Sequence, residues 1–343
     1  MRRMPWLLLV PLTTISIGVG AAEDSLANLV YFNDRLEVHP RVGVGGRYDS
    51  NVEAQTKDPQ DELAAIGMLG VATQFAWSEV TSLTADAEAR LVVTDRPEDR
   101  WRNQGSVNVA LKRTTAENAF GARAGYVRSD DPDDQTGERL LVDTWSAGLD
   151  GDRTGLIHRV SAGLNFNRSD YIDPSRAFDQ DARDANTYSA SLGYGLKLDN
   201  GDELTVRAVG DRMIYDQNIS NQDSTGAHGF LGWSRQISET IGLAIEGGAE
   251  YRRYDAGAGK PADDILSPAW LVNGRTVTAD ESTWSLTLSG GVEDTIDGNP
   301  ALASRAGLDY SHPFTDVWSV RLGVEGFNLR DLKSTTGQPK NNR

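Results

Sequence analysis

The feature that most limits what this chain can become is a two-residue period. Between residues 188 and 198, Tyr188, Ala190, Leu192, Tyr194, Leu196 and Leu198 alternate with Ser189, Ser191, Gly193, Gly195 and Lys197. Successive side chains of a strand point to opposite faces, so this segment has one apolar face and one small or polar face; a helix would mix the two sets around its circumference. Residues 80–93 repeat the pattern, with Leu83, Ala85, Ala87, Ala89, Leu91 and Val93 against Thr84, Asp86, Glu88, Arg90 and Val92. Residues 240–254, 282–293 and 316–327 do the same. Read through the chain, the period predicts about fourteen strands between residues 37 and 328. Sixteen are possible, because 255–281 has room for a further strand around Ile265–Val272.

Strands of this kind need a place for both faces. Mean hydropathy is −0.45 and 38% of residues are apolar. Beyond the N-terminus no run approaches the roughly 20 apolar residues of a membrane helix. A transmembrane β-barrel hides its apolar residues by alternation and turns the polar face to a lumen. The connections fit that layout. Tight turns at Ser78–Glu79, Thr114–Asn118, Asp152–Gly155, Asp199–Asp202 and Gln236–Thr240 alternate with long polar stretches at 50–62, 94–102, 129–139, 169–186, 215–224 and 255–281. The alternation lapses at the end, where 295–300 and 311–315 are both short. The competing reading is a soluble β-sandwich or an extracellular β-solenoid, but a sandwich core prefers bulky side chains, whereas this apolar face is rich in Ala and Gly. The expected fold is all-β, a transmembrane antiparallel up-and-down barrel, with Trp77, Trp101, Tyr126, Trp145, Tyr188, Trp233, Tyr251, Trp284 and Trp318 as girdle residues near strand ends.

Residues 1–22 read as a secretory signal: Arg2 and Arg3, an apolar run from Trp6 to Val19, then Gly20 and Ala22 before Glu23. Its removal takes two positive charges from a chain of net charge −16, leaving −18. Residues 23–36 are then expected to be a periplasmic segment, 37–328 the barrel, and 329–343 a polar tail or a truncated last hairpin. The acidic balance offers no stripe for nucleic acid. There is no cysteine, hence no disulfide framework. The acidic runs Ser129–Asp134 and Asp179–Asp184 lack calcium-loop spacing and read as solvated charge.

The polar face carries both signs. Its candidate pore-lining residues are Asp86, Glu88, Arg90, Lys112, Arg123, Arg159, Lys197, Arg207, Asp211, Glu246, Glu250, Arg252, Arg305, Asp309, Arg321 and Glu325. Such groups need water or opposite charge around them. Facing charges across a water-filled pore, or ion-pair networks filling a narrow lumen, would each satisfy them.

No catalytic pattern emerges, and no enzyme, cofactor or metal is expected. His39, His158 and His312 fall at strand ends or turns. His228 stands near a long loop with Asp223, Ser224 and Thr225, a grouping common in loops. Asp150-Gly151-Asp152 and Gly257-Ala258-Gly259 read as turn chemistry.

The first strand runs His39-Pro40-Arg41-Val42-Gly43-Val44-Gly45-Gly46-Arg47-Tyr48-Asp49-Ser50-Asn51-Val52, and its Tyr-Asp-x-Asn-Val ending resembles the group called putative β-barrel porin 2. Related barrels accompany exopolysaccharide export systems. Tyr310-Ser311-His312-Pro313-Phe314-Thr315 has the look of a turn in the same group. The resemblance implies an outer-membrane barrel with lipid and the barrel-assembly machinery as partners, and polysaccharide-export components as further ones. It carries over no site residue. Such barrels end on an aromatic residue, whereas this chain ends on a polar stretch after Phe327, so either Phe327 takes that part or a last strand is missing. The expected function is a passive outer-membrane channel for small polar solutes or an exported glycan; the alternative is a non-conducting barrel serving as a scaffold in envelope export.

Overall fold

The computed structural model describes residues 29–31, 35–49, 62–95, 101–130, 141–172, 183–217, 223–256, 262–294, 300–313 and 319–331. They form β1 (Leu29–Tyr31), β2 (Leu36–Asp49), β3 (Glu62–Ser78), β4 (Thr81–Thr94), β5 (Trp101–Thr114), β6 (Asn118–Ser129), β7 (Val142–Thr154), β8 (His158–Tyr171), β9 (Ala185–Lys197), β10 (Asp202–Tyr215), β11 (Ser224–Gln236), β12 (Ile241–Tyr254), β13 (Asp263–Val277), β14 (Thr283–Asp294), β15 (Pro300–Pro313) and β16 (Ser319–Asp331). One antiparallel sheet takes them in chain order. Among the described residues no pairing joins β16 to β1 or β2. The two residue blocks that bound the expected domains, 1–22 and 332–343, lie outside the described residues.

The architecture is the all-β up-and-down meander of an outer-membrane barrel. In lipid every backbone donor and acceptor must be met within the protein, and ladders of 10 to 14 paired residues do this along most of the sheet. The long strands have 12 to 17 residues. At ~3.3 Å per residue and a tilt near ~40°, they reach about 30–43 Å along the membrane normal, somewhat more than the hydrocarbon core.

The count differs from the expected fourteen. There are fifteen long strands plus the three-residue β1. The strand absent from the fourteen is β13, which contains Pro268 and starts on Asp263 and Asp264, both marks of a loop. It makes 278–282 a five-residue turn, but the connections at 295–299 and 314–318 are five residues as well, so the alternation of tight and long still lapses at the end. The Tyr310–Thr315 stretch is also corrected, since residues 310–313 belong to β15 and Pro313 pairs with Ser319. Asp150-Gly151-Asp152 is not a turn either. It lies inside β7, opposite Gly121, Phe120 and Ala119.

The tight turns use local chemistry. Gly201 has φ 84°, a conformation glycine adopts without strain, and closes the turn where Leu198 N–H donates to the Asp202 carbonyl at 2.8 Å. Between β13 and β14, Asp280 accepts from the Thr278 and Ser282 hydroxyls, with Ser282 at 2.9 Å. These hydrogen bonds, led by Thr278, hold its carboxyl down to about 2.

Candidate pore wall

Ladder partners share a face, so one alternation fixes the wall of the whole sheet. From Thr84 the register passes through Ala110, Arg123, Gly148, Asn165, Ser189, Asp211 and Gly226 to Arg252 without leaving that face. The other face presents Leu69, Leu192, Val206 and Leu231, each more than half exposed. An apolar face open to the surroundings and a polar face turned inward is the reverse of a water-soluble sandwich.

The strand ends support the same orientation. Tyr126 lies 5.4 Å from Trp145 and Phe166 lies 5.2 Å from Tyr188, ring centre to ring centre, on the apolar face. Just beyond them, at the long-connection ends, come Arg128–Asp143 at 2.6 Å, Arg168–Asp216 at 2.7 Å and Arg212–Asp255 at 2.8 Å. Aromatics followed by charge mark the lipid–water boundary. Trp318 lies outside the described residues.

By the register, Asp86, Glu88, Arg90, Lys112, Arg123, Arg159, Lys197, Arg207, Asp211, Glu246, Glu250, Arg252, Arg305 and Asp309 stand on the polar face. The backbone of Arg321 pairs with Ser311 and that of Glu325 with Gly307 on the same face. The structure adds Arg41, Arg102, Asp150, Asp152 and His228 to it. Asp150 and Asp152 were legible as strand residues, because the alternation continues through them. The Asp-Gly-Asp turn signal masked it.

Opposite charges meet along the wall. Arg41 pairs with Asp86, Arg90 with Glu88 at 2.5 Å, Arg123 with Asp150 at 3.2 Å, Arg159 with Asp152 at 2.5 Å and Arg207 with Glu246 at 2.5 Å. Arg207 also lies over the Phe230 ring, 4.5 Å from its centre. Neighbouring strands supply glycines where these side chains lie. A Cβ on Gly121 would fall 2.6 Å from the Asp150 carboxylate, and one on Gly148 would fall 2.9 Å from Arg123 Nε. Gly226 and Gly195 leave the same space for Asp211 and Glu203. The charged groups therefore lie along the wall instead of standing across the lumen.

Burial changes along the strands. Toward the tight turns, the Arg123 and Asp150 side chains are both 55% exposed and Lys112 and Asp309 are exposed. Toward the long connections, Glu62, Val92, Ser224 and Tyr254 are fully buried on the same face. The acidic runs are corrected at this end. Asp130 is buried and accepts from Arg102 at 3.2 Å and from Gln104, and Asp184 accepts the Tyr171 N–H at 2.8 Å. Each ties a strand end, where a carboxylate meets backbone or guanidinium donors that would otherwise be short of partners.

His228 is not a loop residue. It is the fifth residue of β11, with Nε2 2.5 Å from Asp211 and Nδ1 3.7 Å from Glu250. Arg252 joins them, 3.2 Å from each carboxylate, and donates to Ser224 Oγ at 3.0 Å. Ser224 is thus engaged by Arg252, while Asp223 accepts the Tyr215 N–H at 2.9 Å. His312 lies in β15, its Nδ1 2.7 Å from the buried Ser282 hydroxyl. Among the described residues no group of three His, Cys, Asp or Glu side chains is arranged to hold a metal.

A protein-family comparison matches residues 37–337, from the start of the long strands past β16, to the family described as putative β-barrel porin 2. The chain belongs to that family. This barrel porin resides in the bacterial outer membrane, and its role is porin-like. No curated protein matches it. Among solved structures, it is similar to OmpT, an outer membrane protein of Vibrio cholerae, at 10% identity, covering 87% of this chain and 99% of that one with a TM-score of 0.39. Salmonella typhi OmpF in complex with daunomycin matches at 10% identity, with 88% and 100% covered and a TM-score of 0.41. Pseudomonas aeruginosa OccK8 (OprE) matches at 12% identity, with 88% and 100% covered and a TM-score of 0.35. The residues that carry the Tyr-Asp-x-Asn-Val resemblance lie partly outside the described residues, at 50–52.

Proposed function

We propose that this porin forms a water-filled passage for small polar solutes, an exported glycan chain among them. The observation that carries the reading is the fit of charged wall side chains into glycine gaps, as with Asp150 over Gly121 and Arg123 over Gly148. Groups that lie flat leave the lumen to water, and paired charges on its wall set a field that polar solutes experience. On β6–β9 the middle of that wall is small: Gly125, Ser146, Gly163, Ser161, Ser191 and Gly193.

The test is single-channel conductance of the refolded protein in a planar bilayer. Stable ohmic steps are expected. A folded, heat-modifiable barrel that never conducts would favour the scaffold role in envelope export instead.

The wall charges make a second prediction. Arg123 is half-exposed and touches Asp150 and Asn165. Arg123→Glu changes the local charge by two units. A unit charge ~4 Å from a passing ion in watery surroundings is worth about 1 kcal/mol, and two units act on cation and anion with opposite sign, so the cation-to-anion permeability ratio should rise by more than roughly tenfold. Reversal potentials in a KCl gradient measure this, and an unchanged ratio would remove Arg123 from the conducting path.

A further inference from the structure

The wall has one interrupted seam. β12 and β13 pair over 14 residues and β14 and β15 over 12, but the β13–β14 ladder stops at Trp270 opposite Gly290. β13 continues to Asp263 and β14 to Asp294 with no pairing between them. One more hydrogen-bonded step of the same register would set Pro268 opposite Val292. Proline has no N–H to give the Val292 carbonyl, so only half of that pair could form there.

The Val292 N–H, which a continued ladder would offer to the Pro268 carbonyl, goes elsewhere. Glu250, two strands away on β12, accepts it through Oε2 at 3.0 Å across β13. Between them β13 presents only Ser267 and Ala269 at the matching positions, side chains small enough to be reached over. Val292, although on the lipid-side alternation of β14, is buried in one cluster with Tyr254 and Ile265 of the lumen wall. The upper end of β14 has therefore turned inward. On the lipid side Trp270 covers Gly290.

Apolar side chains flank the seam on both faces, with Ser267 and the Glu250 carboxylate among them on the inner one. Inside are Ile265, Ala269, Ala301 and Ala303, all buried. Outside are Leu266 at 75% exposure and Trp270 at 36%. Along β7–β9 the lumen wall is mostly small and polar, and the seam is an apolar stretch by contrast.

We propose that the β13–β14 seam is a lateral gate through which apolar molecules pass between the lumen and the outer leaflet, with the Glu250–Val292 hydrogen bond as its latch. The proposal rests on the membrane-barrel assignment and stands apart from passage of polar solutes along the axis. Opening it breaks one carboxylate–amide bond and the Tyr254–Ile265–Val292 packing, while the ladders on either side stay whole. Among the described residues the other neighbouring long strands within the sheet share ladders of 10 or more pairs, and the sheet is otherwise unpaired only at its edges, β1 and β16.

The test uses a chain with no native cysteine. Ile265→Cys and Val292→Cys are placed together and bridged across the seam with a short bis-maleimide. Entry of the apolar fluorophore N-phenylnaphthylamine into whole cells is compared with ion conductance in planar bilayers. Cells carrying the unbridged pair should admit the dye faster than cells without the protein, and bridging should abolish the difference while leaving conductance unchanged. Pro268→Val, which restores the missing donor without a cross-link, should also slow dye entry; Glu250→Ala should speed it. Dye entry that is indifferent to bridging and to Pro268→Val overturns the gate, whatever the conductance shows. Loss of conductance with dye entry intact would instead count against the axial passage and leave the gate standing.

Discussion

Replacing Arg252 with alanine is expected to lower the stability of the barrel by about 3–5 kcal/mol, the range for breaking a buried charge pair by removing one partner. Arg252 is 11% exposed and faces Asp211 at 10% and Glu250 at 4%. It is the guanidinium in direct contact with both carboxylates, and it also satisfies Ser224. Without it, Asp211 keeps His228 and Glu250 keeps the Val292 N–H, but two neighbouring buried carboxylates lose the cation between them. Arg252→Lys retains the charge and loses the planar fork, so an intermediate loss is expected. The measurement is the guanidinium midpoint of refolded protein in lipid vesicles, followed by the heat-dependent gel shift. Arg153, with a side chain 75% exposed, provides the comparison. If Arg252→Ala moved the midpoint no more than Arg153→Ala, the buried network would not be holding the wall.

The second large effect is expected at Gly248. This residue stands opposite Phe230 in the β11–β12 ladder. A Cβ there would run into the Gly229 carbonyl oxygen, with Gly229 C at 2.9 Å and Phe230 Cα at 3.0 Å. All three are backbone atoms of a paired strand, so nothing flexible can yield. Gly248→Ala should cost about 2–4 kcal/mol, combining overpacking with a weakened ladder bond. The adjacent Gly247 meets nothing within 4 Å, and Gly247→Ala should be nearly silent by the same assay. Equal effects at the two positions would show that the loss reflects glycine's backbone freedom in general, not the close approach of β11.

Both predictions concern residues whose strand and face were readable beforehand, and both depend on partners that were not. Arg252 and Glu250 lie two apart, which places them on one face of one strand. Nothing in that spacing says that Asp211 and His228, from two earlier strands, arrive beside them. His228 illustrates the loss: read along the chain it sits near a long loop with Asp223 and Ser224, and only the register of β11 against β10 and β12 brings it between two carboxylates. The acidic stretches misled in a similar way. Asp130 and Asp184 look like solvated loop charge, yet burial on the strand ends decides their role, and burial is a property of what packs over a residue.

Pro268 sits in β13 for a different reason. Its missing donor argues against a strand interior, and the argument is sound where both neighbours are paired. Here the donor is missing on the side where the β13–β14 ladder has already ended, so the strand survives. The proline inside β13 also stands where the β13–β14 ladder stops.

What the sequence by itself determined is the alternation: the strands, their two faces, the side of the wall on which each charge stands, and hence a barrel with lipid outside. These follow from a period of two that the backbone enforces residue by residue. What only the tertiary structure decided is which charges meet, which glycines receive them, how burial grades along the lumen, and where the ladder fails. Those depend on the register between strands, set by hydrogen bonds and side-chain fit across chain separations that no local pattern encodes.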